Sequence, residues 1–117
     1  MKQQAGIWID HKEAFVVFAD EGAQDEHVRF HGSSGDASAD DQRDRQFAAH
    51  LGTYYDEVIA HVHGSESIFL FGPGEAKGEL EKRLTGKGLG KRVVGVEAAD
   101  KMTSHQITAR VREHYKK

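Results

Sequence analysis

Apolar residues alternate with polar ones, or form short unbroken runs, at five places along the chain. The segments 5–10, 13–19 and 26–31 are rich in β-forming side chains and are separated by short turns. Three strands joined in this way predict an antiparallel meander. The runs 68–71 and 92–97 predict two later strands, and 68–71 is apolar throughout, as in a strand buried on both faces.

Helical periodicity is found in the rest of the chain. A long amphipathic helix is predicted over 42–63, where one apolar stripe comprises Phe47, Leu51, Tyr54, Tyr55, Val58 and Val62. Ala76, Leu80 and Leu84 recur at intervals of four residues and predict a second helix. A third helix is expected from Ser104, because Thr103 and Gln106 have the spacing of a capping box.

The element order βββαβαβα predicts an α/β fold with a mixed five-stranded sheet and three helices. This order is the one found in ribonuclease H-like folds. A chain of 117 residues is expected to form a single domain over 1–117. Residues 32–41 are small, polar or acidic, without apolar periodicity, and predict a mobile loop.

Composition favours a soluble protein of the cytoplasm and excludes some chemistry. The chain has no cysteine, which excludes disulfides and thiolate catalysis, and it has no apolar run of transmembrane length. The net charge is −3, yet residues 1–70 carry 5 basic and 13 acidic residues, whereas 71–117 carry 11 basic and 6 acidic ones. Such asymmetry is typical of a face for an anionic partner, and equally of two solvated surfaces.

The basic residues of the second half suggest a candidate site for nucleic acid or another anion. The site comprises Lys77, Lys82, Arg83, Lys87, Lys91 and Arg92. These cations follow one helix and its exit loop, so several of them could share a face and neutralise phosphates. No aromatic residue is interleaved with them, so base stacking is not expected. The alternative interpretation is an ordinary solvated surface.

The glycine-rich segment 72–78 has nearly the spacing of a dinucleotide-binding fingerprint, and Glu97 ends a later predicted strand. However, Pro73 removes an N–H donor and Glu75 places a carboxylate where a phosphate would lie. We therefore favour a structural turn, with Gly74 and Gly78 permitting close packing of helix on sheet. The segment 86–91 lacks the Ser or Thr that a phosphate-binding loop requires after its lysine.

Candidate metal ligands are present but do not form a convincing set. The candidates are a carboxylate cluster of Asp10, Glu57 and Asp100, and the histidine pairs His61 with His63 and His27 with His31. Asp10 is better explained as a turn residue, and neither histidine pair has an evident third ligand. We expect no metal, no cofactor and no catalytic residue.

Three segments together resemble a known group of proteins. They are 8–14 (Trp-Ile-Asp-His-Lys-Glu-Ala), 71–77 (Phe-Gly-Pro-Gly-Glu-Ala-Lys), and 94–100 together with 102–106 (Val-Gly-Val-Glu-Ala-Ala-Asp and Met-Thr-Ser-His-Gln). The chain is similar, over nearly its whole length, to small bacterial translational machinery proteins. These are related to the middle domain of archaeal and eukaryotic class-1 release factors and of Pelota.

The resemblance implies a ribonuclease H-like sheet and contact with the ribosome, a tRNA or a translation factor. The release-factor domain carries a Gly-Gly-Gln loop for peptidyl-tRNA hydrolysis, but the corresponding stretch 32–44 contains no such motif and is acidic. We therefore expect a non-enzymatic, translation-associated binding protein. Two alternatives remain: an ester hydrolase acting on peptidyl-tRNA or another nucleic acid through 32–44, and a protein-binding or self-associating module, including a homodimer. No membrane partner is expected.

Overall fold

The computed structural model describes residues 3–19, 24–30 and 40–116, and for 40–49 the backbone alone. Five strands and three α-helices are present in the order β1 Gln4–Ile9, β2 Glu13–Phe18, β3 Glu26–Arg29, α1 Asp40–Val62, β4 Ser67–Gly72, α2 Ala76–Gly86, β5 Val93–Ala98 and α3 Ser104–Tyr115. A single 3₁₀ turn, Gly90–Arg92, connects α2 to β5.

The strands form one mixed sheet in the order β3-β2-β1-β4-β5. Strands β1, β2 and β3 are antiparallel neighbours, whereas β4 runs parallel to both β1 and β5. The predicted antiparallel meander and mixed five-stranded sheet, and with them the α/β fold class, are confirmed. No helix among the described residues is long and apolar enough to span a bilayer.

Helices cover both faces of the sheet and bury two separate clusters. Helices α1 and α2 pack over one face, where side chains such as Tyr54, Ile68 and Leu80 form the larger cluster. Helix α3 packs on the other face, where Ile107 and Val111 bury Trp8 and Phe69. Strands β1 and β4 contribute to both clusters because successive strand residues point to opposite faces, which explains the unbroken apolar run predicted at 68–71.

The boundaries differ from the prediction by two residues at two places and by a single residue at several others. Strand β3 ends at Arg29, short of the predicted 31, and residues 31–39 lie outside the described part of the chain. Helix α1 already includes residues 40 and 41, which had been predicted as the end of a loop. The predicted start of α3 is confirmed, since Thr103 and Gln106 form both hydrogen bonds of a capping box.

One glycine of the 72–78 segment is required by the close approach of strands. Gly72 has a φ of 147°, and a Cβ atom there would lie 2.2 Å from the carbonyl oxygen of Ile9. By contrast, a Cβ atom at Gly74 or Gly78 would meet no atom within 4 Å. The prediction that these two glycines permit close packing of α2 on the sheet is therefore wrong. Gly74 is explained by its φ of 67°, which a turn residue with a side chain rarely adopts.

Candidate functional site

The candidate basic surface lies on α2 and the following turn, and its geometry is set by the buried stripe of α2. Ala76, Leu80 and Leu84 are buried against the larger cluster. With 3.6 residues per turn, Lys77 and Arg83 flank opposite sides of this stripe, while Lys82 points away from it. The three cations of the helix are therefore distributed around its exposed circumference and do not form one row.

Two of the candidate cations are paired with one carboxylate of α1. The Arg83 guanidinium donates two hydrogen bonds to Asp56, from Nε to Oδ1 at 2.7 Å and from an Nη atom to Oδ2 at 3.0 Å. Lys87 lies one turn further along, and its Nζ is 3.2 Å from Asp56 Oδ1. The hydrogen bonds from Arg83, with the contribution of Lys87, lower the pKa of Asp56 to about 2. This cluster joins α1 to α2.

The position of Arg83 also explains a glycine within α1. A Cβ atom at Gly52 would lie 3.2 Å from the Arg83 guanidinium, so Arg83 passes directly over Gly52 on its way to Asp56. Gly52 and Asp56 are four residues apart and therefore share one face of α1. The bidentate geometry is the strongest form of such a pair, so Arg83 already has a structural partner.

Two further candidate cations bind backbone carbonyls. One Nη atom of Arg92 donates to the carbonyl oxygens of His63 and Ser65, at 2.9 and 3.1 Å, just beyond the end of α1. A cation beyond the C-terminus of a helix interacts favourably with the helix dipole, and this one satisfies two carbonyl groups of the connection from α1 to β4. Lys77 donates to the carbonyl oxygen of Gly74 in the turn before α2. Both residues therefore stabilise chain connections.

Lys82 and Lys91 are the remaining cations of the site. Both are exposed. Neither has a hydrogen bond or an ion pair among the described residues, although the charge of Lys82 acts on Glu79 and contributes to lowering the pKa of that carboxyl. Lys82 borders two shallow grooves, one toward α1 that Tyr55 and Arg83 also line, and one toward β5 that Val96 lines. Of the six predicted residues, these two carry the charge that is most available to a partner.

A polar network lies beside Lys82, between α1, α2 and the turn after β1. Glu79 Oε1 accepts a hydrogen bond from the Tyr55 hydroxyl and lies 3.0 Å from His11 Nε2. Burial alone would raise the pKa of Glu79, but the hydrogen bonds from Tyr55 and His11 outweigh it and lower that pKa. Burial, with the Glu79 hydrogen bond, raises the pKa of Tyr55. Glu79 thus stays anionic and offsets part of the positive charge of α2.

The metal and dinucleotide hypotheses gain no support from the described residues. Asp10 Oδ1 accepts hydrogen bonds from the backbone N–H groups of Lys12 and Glu13, at 2.7 and 2.8 Å, as the turn interpretation predicted. No group of three or more possible ligands that could hold a metal occurs in the described part of the chain, and His31 lies outside it. Glu97 forms an ion pair with Arg110 of α3.

A cleft on the opposite face of the molecule was not predicted from the sequence. It lies between α3 and strands β2 and β3, and it has a volume of about 640 Å³. Phe15 and Val17 form its apolar floor, while Glu26 and Arg112 both line it. Because both signs of charge line the cleft, its electrostatics favour neither an anionic nor a cationic ligand.

Two of the solved structures that match this chain share its fold. The Pelota protein of Thermoplasma acidophilum matches 89% of the chain with a TM-score of 0.63 and 21% sequence identity. An archaeal translation termination factor, aRF1, matches 96% of it with a TM-score of 0.57 and 12% identity. The chain spans about a third of these proteins, 30% and 37% of their lengths respectively. At such identities the likeness shows the fold.

No model of a protein family matches the chain. No curated protein matches its sequence significantly. The predicted relation to Pelota and release factors is therefore supported at the level of fold, and membership of the small bacterial group stays a prediction. The hydrolase alternative also stays a prediction, because most of the stretch 32–44 on which it depends lies outside the described residues.

Proposed function

We propose that this chain is a non-enzymatic, translation-associated binding domain that contacts ribosomal RNA or tRNA through the exposed cations of α2 and its exit turn. The observation that carries the proposal is the fold, which the chain shares with Pelota and with a translation termination factor. Both the fold and the sequence motifs favour the hypothesis that the partner belongs to the translation machinery.

The charge of the α2 region supports an anionic partner. From 76 to 92 the chain has six cations and two carboxylates, although the chain as a whole is negative. Within this set Lys82 and Lys91 are exposed and form no ion pair among the described residues. Arg83 and Lys87 add positive charge to the surface, but the carboxylate of Asp56 already neutralises part of it. Lys82 and Lys91 would therefore make the principal phosphate contacts.

A direct test compares two double variants of equal net charge. Lys82→Glu with Lys91→Glu removes the two cations of the candidate surface that form no ion pair among the described residues. The control, Lys101→Glu with Lys116→Glu, makes the same charge change at exposed positions beyond β5 and at the end of α3. Binding to purified ribosomes and to bulk tRNA is measured by sedimentation and by fluorescence anisotropy over a series of salt concentrations.

The wild-type protein is expected to bind in a salt-dependent manner. The double variant Lys82→Glu with Lys91→Glu should bind more weakly, and the control variant should bind like the wild type. If both lysines contact phosphates, the slope of log K against log salt concentration should become shallower by roughly 1.5. Equal weakening by the two variants would show that net charge and not this surface governs binding. Absence of wild-type binding at low salt would reject the proposal.

A further inference from the structure

The guanidinium group of Arg83 lies flat against α1. A Cβ atom at Gly52 would lie 3.2 Å from Nη2, 3.4 Å from Cζ and 3.4 Å from Nη1 of this group. The central carbon is thus no farther away than an outer nitrogen. Because the guanidinium is planar, such distances arise where α1 lies over its face, whereas an approach at its edge would place Cζ farther away than both nitrogens. One face of the guanidinium therefore covers Gly52.

The orientation of this group is fixed from its edge. Nε and Nη2 of Arg83 donate to the two carboxylate oxygens of Asp56, at 2.7 and 3.0 Å. A bidentate pair of this kind lies in the plane of the guanidinium and adds geometric specificity. With one edge held by Asp56 and one face on Gly52, the opposite face is directed away from α1. The Arg83 side chain is 40% exposed, so this second face is open to a ligand.

The open face of Arg83 borders the shallow groove between α1 and α2. The groove has a volume of about 450 Å³, within the range of sites for small molecules. Leu51 and Tyr55 line it from α1, while Lys82 and Arg83 line it from α2. Glu79 lies in the same groove as an anion, because hydrogen bonds lower the pKa of its carboxyl. A phosphate is therefore repelled from the interior and attracted to the rim at Lys82.

We infer that this groove accepts an unpaired base of single-stranded RNA, stacked on the open face of Arg83, with an adjacent phosphate on Lys82. Guanidinium planes of arginine are a common platform for splayed-out bases in RNA. Stacking uses the face of the group, so the edge stays bonded to Asp56. The ion pair thus favours stacking, because it holds the platform in place before the base arrives. The inference rests on the proposed function and names the class of RNA.

A fully paired RNA cannot use this platform. In an A-form helix the bases are stacked on one another, and side chains cannot enter the deep, narrow major groove. No base face is then available to Arg83, although the phosphates of a duplex can still bind the exposed lysines Lys82 and Lys91. Single-stranded and double-stranded RNA should therefore differ in how strongly their binding depends on the planar group of Arg83.

The substitution Arg83→Lys tests the platform, because lysine keeps the positive charge and can still pair with Asp56 but has no planar face. Fluorescence anisotropy measures the binding of a short oligouridylate, of an abasic chain with the same number of phosphates, and of a blunt RNA duplex. The wild type should bind the oligouridylate more tightly than the abasic chain. Arg83→Lys should lower the affinity for the oligouridylate by roughly 5- to 10-fold, the lower part of the range for a stacked base. Its affinity for the abasic chain and the duplex should be unchanged.

The control Arg110→Lys makes the same change in an arginine that is also paired with a carboxylate, on the face of the sheet that α3 covers. It should bind all three probes like the wild type, and urea denaturation checks that both variants are folded. If Arg83→Lys leaves oligouridylate binding unchanged, or weakens the abasic chain equally, the stacked base is refuted while RNA binding by α2 stands. Equal wild-type affinity for the oligouridylate and the abasic chain has the same consequence. A wild type that binds none of the three probes would reject both this inference and the proposed function.

Discussion

Gly6 on β1 lies directly beneath Val111 of α3, and its replacement by alanine tests how α3 is docked on the sheet. A Cβ atom at Gly6 would lie 2.3 Å from Cγ2 and 2.8 Å from Cγ1 of Val111. Carbon atoms pack best about 3.5–4.0 Å apart, so α3 would have to move outward by roughly 1 Å. Valine has one strongly preferred rotamer in a helix and cannot simply turn aside.

The expected cost of Gly6→Ala follows from this overlap. Overpacking a core lowers the free energy of unfolding by about 1–3 kcal/mol. Alanine offsets about 0.5 kcal/mol of this loss, because it reduces the conformational entropy of the unfolded chain. We therefore expect the free energy of unfolding to fall by about 1.5 kcal/mol. Val111→Ala alone should also lower it by about 2 kcal/mol, because a fully buried side chain is shortened and a cavity remains.

The double variant distinguishes a local clash from a general loss of packing. Alanine at both positions removes the two methyl groups that collide and partly refills the space. The combined loss should therefore be about 2 kcal/mol and not the sum of the single losses. This difference is a coupling energy well above the deviation of about 0.3–0.5 kcal/mol that independent sites show. Urea denaturation followed by circular dichroism measures each value. Additive losses, or an unaffected Gly6→Ala, would refute the packing geometry.

A matched control uses the same substitution where space is open. A Cβ atom at Gly78, within α2, would meet no atom within 4 Å. Gly78→Ala should stabilise the protein by about 0.5–1 kcal/mol, because alanine is the better helix former. Opposite signs for the two glycine substitutions would show that the space around each residue, and not glycine as such, determines the outcome.

Two further predictions concern the residues that join the helices to the rest of the fold. The folded-state pKa of Asp56, about 2, lies below its ordinary value of 3.8, so its stabilising effect is present above about pH 4 and is lost as the pH falls through 2. Asp56→Asn should therefore lower the free energy of unfolding at neutral pH by up to about 1 kcal/mol, the usual contribution of an exposed ion pair. In urea denaturation the difference between the variant and the wild type should vanish near pH 2. Arg92→Ala should lower the free energy of unfolding by about 1–2 kcal/mol, because the carbonyl groups beyond α1 lose a charged donor. The control Lys91→Ala should leave the urea midpoint unchanged. Equal effects of the two substitutions would contradict the structural role assigned to Arg92.

The sequence predicted those features that local periodicity determines. The element order, the buried stripe of α2 and the capping box at Thr103 each depend on residues a few positions apart, and all three are confirmed. The role of Gly6 was not predictable, because it depends on a contact with Val111 across more than a hundred residues. The same holds for Gly74 and Gly78, whose spacing suggested close packing that the position of α2 does not produce.

The candidate site shows why charge counted along a sequence overstates a binding surface. Arg83 and Asp56 are 27 residues apart, and only the packing of α2 against α1 reveals that they are partners. Arg92 likewise has a structural partner in the carbonyl groups beyond α1. A cation that already holds a carboxylate must break or share that bond before it can bind a phosphate, so its net gain on binding is smaller. The proposed interface therefore rests mainly on Lys82 and Lys91, and removing the paired cations would weaken the fold as well as the interface.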